Sequence, residues 1–186
     1  MKYFYAYNLY VTYKHRPCSN SQRMIFNNQI VTAQKLIEAF MGDDKHQYCV
    51  LLAQMQSGKS DTFMLVGCEL VRLGLVERFI VFSGNAEIEL REQAKDQRAF
   101  ERSYRAYLTK EKEMTIEEAE DVCEMAMSEF AVLWSSDLAK HHTKGKTLYI
   151  WDESHYAQSS KQRPDKFFRK QGLQTNGSGS DNGNLL

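Results

Sequence analysis

Four short runs of apolar residues, separated by segments with helical spacing, constrain the fold of this chain most strongly. The runs lie at 48–53, 79–82, 130–134 and 148–151. Continuous apolar runs of this length are typical of strands that are buried on both faces of a parallel sheet. Because the runs alternate with helical segments along the chain, we predict an α/β fold with helices on both faces of a parallel sheet.

The segments between these runs have apolar residues at helical spacing and residues that favour helix ends. Apolar residues recur at helical spacing over 30–40 and over 63–73, and Gly74 suits a left-handed C-cap of the second helix. Residues 115–118 have the pattern of a capping box, which predicts the start of a further helix. Acidic side chains dominate the block 86–129, which we interpret as a solvated helical face.

Composition excludes several classes of protein. The chain has 24 Lys and Arg against 24 Asp and Glu, and 42% of its residues are hydrophobic, which is ordinary for one compact soluble domain. It contains no run of about 18 apolar residues, so we expect neither a transmembrane helix nor a membrane partner. Its four cysteines are widely spaced, with no C-x-x-C pair, so neither a zinc site nor a disulfide framework is indicated. Reduced thiols favour an intracellular location, in the cytoplasm or nucleus.

The two ends of the chain differ in composition from its centre. Residues 1–21 begin with a tyrosine-rich stretch that makes a poor signal peptide, and we interpret it as an extended aromatic segment. Residues 173–186 are rich in Gly, Ser and Asn, which predicts disorder. The predicted organisation is therefore an N-terminal segment 1–21, a folded lobe 22–172 and a tail 173–186.

A phosphate-binding loop is predicted where the first apolar run meets the following helix. Ala53 and Gly58-Lys59-Ser60 form the pattern A-x-x-x-x-G-K-S. Backbone N–H groups of a tight turn at a helix N-terminus bind phosphate oxygens, helped by the helix dipole. We expect Lys59 to reach the β- and γ-phosphates and the Ser60 hydroxyl to ligate Mg²⁺. The residues expected to line the nucleotide are Gln56, Ser57, Gly58, Lys59, Ser60 and Asp61; the alternative is a structural turn.

Two adjacent carboxylates follow the fourth apolar run. Asp152 and Glu153 suit a magnesium-nucleotide enzyme, in which one carboxylate holds the metal shell and its neighbour polarises the attacking water. The carboxyl ends of parallel strands share one edge of a sheet, so we expect both carboxylates to face Lys59. The alternative is a helix N-terminus with favourable acidic charges.

The A-x-x-x-x-G-K-S pattern and D-E-S-H at 152–155, roughly ninety residues later, together resemble motifs I and II of superfamily 2 DExH-type helicases and translocases. The resemblance covers about residues 22–172. It implies a P-loop NTPase fold with a RecA-like parallel sheet, and ATP and Mg²⁺ as cofactors. It also implies that Asp152 coordinates Mg²⁺ through water, that Glu153 deprotonates the hydrolytic water, and that His155 couples nucleotide state to nucleic acid.

Three weaker positions match this family in order. Gln29 is similar to the upstream glutamine that reads the adenine base. The residues that would touch the nucleic-acid backbone, at the places of motifs Ia and Ib, are Ser83, Gly84, Asn85, Ser135 and Ser136. The structural alternatives are a polar position near a helix start for Gln29, turn or cap residues for the serines, and an exposed histidine for His155. Ala53 and Gln56 depart from the family pattern, since many members have Gly there.

The resemblance implies an ATP-dependent helicase or translocase that moves on DNA or RNA with a second RecA-like lobe. The sequence contains neither that lobe nor motif III, whose strand the family places between the strands leading to Lys59 and to Asp152. We therefore expect a fragment with an incomplete sheet. The alternatives are a nucleotide-binding relic without turnover and another P-loop NTPase or kinase. The sequence does not specify whether the nucleic acid is DNA or RNA, in which direction a motor would move, or which pathway it would serve.

Overall fold

The computed structural model describes residues 6–9, 24–41, 49–53, 58–83, 88–134, 145–151 and 163–170. Strands and helices alternate along most of the described chain, and the fold class is α/β, as predicted. In chain order the elements are β1 (Ala6–Leu9), α1 (Asn27–Met41), β2 (Val50–Ala53), α2 (Lys59–Arg72), β3 (Arg78–Ser83), α3 (Ile88–Glu111), α4 (Ile116–Ser128), β4 (Phe130–Trp134), β5 (Thr147–Trp151) and α5 (Arg163–Lys170).

The described strands form two parallel sheets. β1 pairs with β2, and β3 is the central strand of a three-stranded sheet with the order β4-β3-β5. Every pairing is parallel, which confirms the parallel arrangement predicted from the apolar runs. β1 belongs to the tyrosine-rich N-terminal segment, so at least part of that segment is paired with the first apolar run.

Helices connect the two sheets. Within the described residues β2 is hydrogen-bonded to β1 and β5 to β3, so β2 and β5 are not neighbours. α1 packs on α2, and α2 packs on β3. Gly67 allows the close approach of α2 to β3, since a Cβ at this position would lie 2.7 Å from Phe79 Cγ and 2.8 Å from Phe79 Cε2. Since α1 also contacts β1, the helices α1 and α2 link the β1-β2 pair to the three-stranded sheet.

The central strand β3 is buried on both faces. Phe79 and Val81 belong to the larger core, which α1, α2, α3 and α4 also line. Ile80 lies in a second cluster with Tyr149 and Phe167, whose rings meet edge to face with centroids 5.6 Å apart. Because Phe167 belongs to α5, helices cover both faces of this sheet, as the continuous apolar runs predicted.

The helix ends follow the predicted end signals. Thr115 Oγ1 accepts from the N–H of Glu118 at 3.2 Å, and the N–H of Thr115 donates to Glu118 Oε2 at 2.8 Å. These bonds form the predicted capping box at the start of α4. The Thr115 N–H, and after it the Thr115 hydroxyl, donate to the Glu118 carboxylate and lower its pKa. Gly74 has φ 67 just after α2 and confirms the left-handed cap.

The charged block is only partly a solvated face. The acidic side chains of α4 are exposed, as expected. α3, in contrast, buries Phe100, Tyr104 and Leu108 on one face, and their spacing of four residues places them one turn apart. Although α3 has 24 residues, no helix in the described part of the chain is long and apolar enough to cross a membrane.

Candidate functional site

Gly58 is the N-cap of α2 and follows β2 by four residues, 54–57, that lie outside the described part of the chain. Its φ of 79 and ψ of 24 place it in the left-handed region, which glycine adopts without steric cost. Among the residues that the structure describes, no side chain caps the start of α2. A helix start of this kind directs backbone N–H groups and the positive end of the helix dipole outward.

Three donors converge on the carbonyl oxygen of Gly58. Gln29 Nε2 donates to it at 2.8 Å, the N–H of Thr62 at 3.1 Å and Thr62 Oγ1 at 3.2 Å. Thr62 is completely buried and Gln29 is 1% exposed, so water does not compete for these bonds. The peptide between Gly58 and Lys59, at the start of α2, is therefore held by two buried side chains.

Gln29 joins the start of α1 to the start of α2. It stands in the first turn of α1, and its Oε1 accepts from the backbone N–H of Phe26 at 2.7 Å. This bond is half of a capping box, in which the side chain at the third helical position satisfies a donor at the helix start. The other end of the same amide reaches Gly58, so one side chain serves two helix starts.

The first turn of α2 carries the other described residues of the predicted site. Lys59 is half-buried, Ser60 is exposed and Asp61 is 8% exposed. The exposed Ser60 hydroxyl at a helix start is a group that fits a Mg²⁺ ligand beside a bound phosphate. Asp61 places a negative charge in the first helical turn, where it stabilises the helix dipole. The structure thus brings Gln29, Gly58 and this turn together.

Most of the other predicted site residues follow three adjacent strands that end together, whereas Gln56 and Ser57 follow β2. Ser83 is the last residue of β3 and pairs with Trp134, the last residue of β4. Phe82 pairs with Trp151, the last residue of β5. The chain therefore leaves all three strands at one edge of the sheet. The predicted residues that lie outside the described part of the chain are Gln56, Ser57, Gly84, Asn85, Ser135, Ser136, Asp152, Glu153 and His155. Their approach to Lys59 stays a prediction.

A second polar cluster lies near the C-terminal end of α2. The buried carboxylate of Glu69 accepts two hydrogen bonds from the Arg72 guanidinium, at 2.9 and 2.8 Å, and one from the Tyr104 hydroxyl at 2.9 Å. Lys112 Nζ lies 3.8 Å from the same carboxylate. The bond to Glu69 raises the pKa of Arg72, and burial together with the Glu69 charge raises the pKa of Tyr104.

The Glu69 cluster has a structural role. Ten residues separate Glu69 from Lys59, which places the two about 15 Å apart along α2. Arg72 and Tyr104 already occupy the Glu69 carboxylate, and Tyr104 belongs to α3. The cluster fixes the C-terminal end of α2 to α3, whereas Gln29 holds its N-terminal end.

Replacing Glu69 by glutamine is expected to lower the free energy of unfolding by about 1–3 kcal/mol, because the isosteric amide removes the charge that pairs with Arg72. Urea unfolding followed by circular dichroism measures this change. The matched control is Glu124→Gln, at an exposed position of α4, which should stay within about 0.5 kcal/mol of the wild type. Equal stability of the two variants would show that the cluster contributes little.

Thr62 is the site residue that the sequence analysis missed. It follows Gly58 by four residues within a helix, so its hydroxyl reaches back to the carbonyl one turn earlier. That spacing was readable in the sequence.

Among the described residues no group of three or more His, Cys, Asp or Glu side chains could hold a metal ion. Burial raises the pKa of Cys49 to about 12, so this thiol is a poor nucleophile.

No protein-family model matches the sequence, and no curated protein or solved structure matches it either. The site is therefore interpreted from its own residues and geometry.

Proposed function

We propose that this chain is the ATP-binding lobe of a superfamily 2 DNA or RNA helicase or translocase, with a RecA-like fold. In this proposal the start of α2 holds the phosphates of ATP, with Lys59 on the β- and γ-phosphates and Ser60 on Mg²⁺. The metal would neutralise phosphate charge. Asp152 would hold Mg²⁺ through water, and Glu153 would deprotonate the hydrolytic water. A second RecA-like lobe and a nucleic-acid strand are the proposed partners.

The observation that carries the proposal is the left-handed Gly58 between a parallel strand and the helix that begins with Lys59. A glycine in this conformation ends a tight turn so that the next N–H groups converge on one point. G-K-S occurs often by chance, whereas a G-K-S whose glycine adopts this conformation at a helix start is compatible with phosphate binding and supports the proposal.

The order of the strands gives further support. In the proposed fold, motifs Ia, Ib and II leave neighbouring strands at one edge of the sheet, and β3, β4 and β5 end together in this way. The same fold places the strand of motif III between β2 and β5, and these two strands are not paired with each other in the described residues. Both features are expected if residues 83–85, 135–136 and 152–155 are motif residues.

ATP hydrolysis measured with and without single-stranded DNA or RNA tests the proposal. Stimulation by the strand is the result expected for a motor. Phosphate transfer to a small acceptor would instead indicate a kinase, and tight ATP binding with no turnover would indicate a nucleotide-binding relic. A protein that binds no nucleotide contradicts all three readings.

Replacing Lys59 by alanine is expected to weaken ATP binding about 10- to 100-fold, because a charge-assisted contact to phosphate is lost. Fluorescence titration with a labelled ATP analogue measures the affinity. The matched control is Lys110→Ala, an exposed lysine of α3 that should leave the affinity unchanged. If the two variants bound ATP equally well, Lys59 would not be the phosphate ligand.

A further inference from the structure

We infer that Gln29 is a positioning residue for the phosphate-binding turn and does not select the base, so the site takes nucleoside triphosphates of different bases. This inference rests on the proposed function, since it assumes that triphosphates bind at the start of α2. It departs from the adenine-reading role that the family resemblance implies for this glutamine.

The chemistry of its two partners determines the orientation of the Gln29 amide. The backbone N–H of Phe26 needs an acceptor and lies 2.7 Å from Oε1. The carbonyl of Gly58 can only accept a hydrogen bond and lies 2.8 Å from Nε2. Rotating the amide by half a turn would set donor against donor and acceptor against acceptor, so a single orientation satisfies both ends.

This arrangement leaves the amide poorly placed to read a base. A glutamine amide has one further N–H and one further lone pair, but the Gln29 side chain is 1% exposed. Because the side chain is buried, a base edge could pair with the amide only if the side chain moved out of its present position. That movement would break the hydrogen bonds to Phe26 and Gly58, which is unfavourable.

The bond to Gly58 instead orients the phosphate-binding turn. The peptide between Gly58 and Lys59 is planar and trans, so its N–H points away from its carbonyl. Gln29 and Thr62 hold that carbonyl toward the body of α2, which directs the Lys59 N–H outward from the helix start. This is the direction from which a phosphate approaches. Gln29 thus acts on any triphosphate through the backbone.

A glutamate substitution at Gln29 and a valine substitution at Thr62 test this role. Gln29→Glu keeps an acceptor for the Phe26 N–H but sets a second oxygen against the Gly58 carbonyl, and Thr62→Val removes the other side-chain donor without adding charge. Gln34→Glu is the matched control, because it makes the same change at an exposed position of α1. The probes are ATP, GTP and inorganic tripolyphosphate, each with Mg²⁺, at a temperature where circular dichroism shows every variant folded.

The wild type is expected to bind ATP and GTP with similar affinity. Gln29→Glu and Thr62→Val should each weaken all three ligands by about tenfold, which corresponds to the loss of one buried hydrogen bond. The ratio of ATP to GTP affinity should not change in either variant, and Gln34→Glu should bind as the wild type does. If Gln29→Glu does not fold, the parallel loss of all three ligands in Thr62→Val supports the same conclusion.

Two outcomes overturn the inference in distinguishable ways. A wild type that strongly prefers ATP, together with a Gln29→Glu variant that loses ATP but retains tripolyphosphate, would show that Gln29 reads the base and would leave the proposed function intact. A folded wild type that binds none of the three ligands would contradict the proposed function itself, and the positioning role with it.

Discussion

ATP hydrolysis by a Glu153→Gln variant is expected to fall by about 10²- to 10⁴-fold, while ATP binding is retained. The reason is that glutamine keeps the size and the hydrogen-bonding reach of the side chain but cannot take a proton from water. The phosphate contacts assigned to Lys59 and Ser60 do not depend on this carboxylate. Hydrolysis and binding should therefore separate in this variant, whereas Lys59→Ala should reduce both.

The rate of phosphate release under saturating ATP measures this effect, and titration with labelled ATP measures binding. Glu129→Gln is a suitable control, because Glu129 is a partly exposed carboxylate next to a strand of the sheet, away from the predicted site, and should leave the rate unchanged. Normal hydrolysis by Glu153→Gln would mean that another group activates the water. Equal losses in both variants would point to a general effect of charge.

Local signals in the sequence predicted much of this fold. The four apolar runs correspond to β2, β3, β4 and β5. A strand buried on both faces is apolar at successive positions, so it is visible in the sequence as a continuous apolar run. The capping box at Thr115 and the left-handed Gly74 are also local, since every partner lies within a few residues. Gly58 was expected to bind phosphate, but its left-handed conformation was not predicted and is known only from the structure.

The contacts that hold the candidate site together could not be predicted from hydrophobic periodicity. Gln29 binds Gly58 across 29 residues of chain, and Tyr104 binds Glu69 across 35. A glutamate within an apolar helix resembles a solvated position until its partner is known. The pairing of β1 with β2 was equally hidden, because a tyrosine-rich stretch can extend without joining a sheet. Each of these contacts depends on which distant segment of the chain packs against the residue, and a local sequence pattern does not specify that.

Both ends of α2 are held by side chains from other helices. Gln29 of α1 binds at the N-terminal end, and Tyr104 of α3 binds Glu69 near the C-terminal end. A helix fixed at two points cannot rotate about either one, so the groups at its start keep their direction relative to β3. Disturbing the Glu69 cluster should therefore affect stability, whereas disturbing the Gly58 end should affect both stability and binding.

Replacing Gly58 by alanine is expected to lower the free energy of unfolding by about 2–4 kcal/mol, the sum of left-handed strain and a steric clash. A Cβ at this position would lie 3.1 Å from Gln29 Cδ and closer still to Nε2. Gln29 would then have to leave the Gly58 carbonyl, and the turn would lose its orientation. ATP affinity should fall on the order of 100-fold, which corresponds to about 2.7 kcal/mol.

Gly74→Ala is the matched control for this prediction. Gly74 is also left-handed, with φ 67, but a Cβ there would meet nothing within 4 Å. Its substitution should therefore lower stability by about 1–2 kcal/mol through strain alone and leave ATP affinity unchanged. Urea unfolding and ATP titration of both variants separate strain from displacement of Gln29. If Gly58→Ala behaved as Gly74→Ala does in both measurements, displacing Gln29 would affect neither stability nor ATP affinity. The start of α2 would then not depend on the hydrogen bond from Gln29.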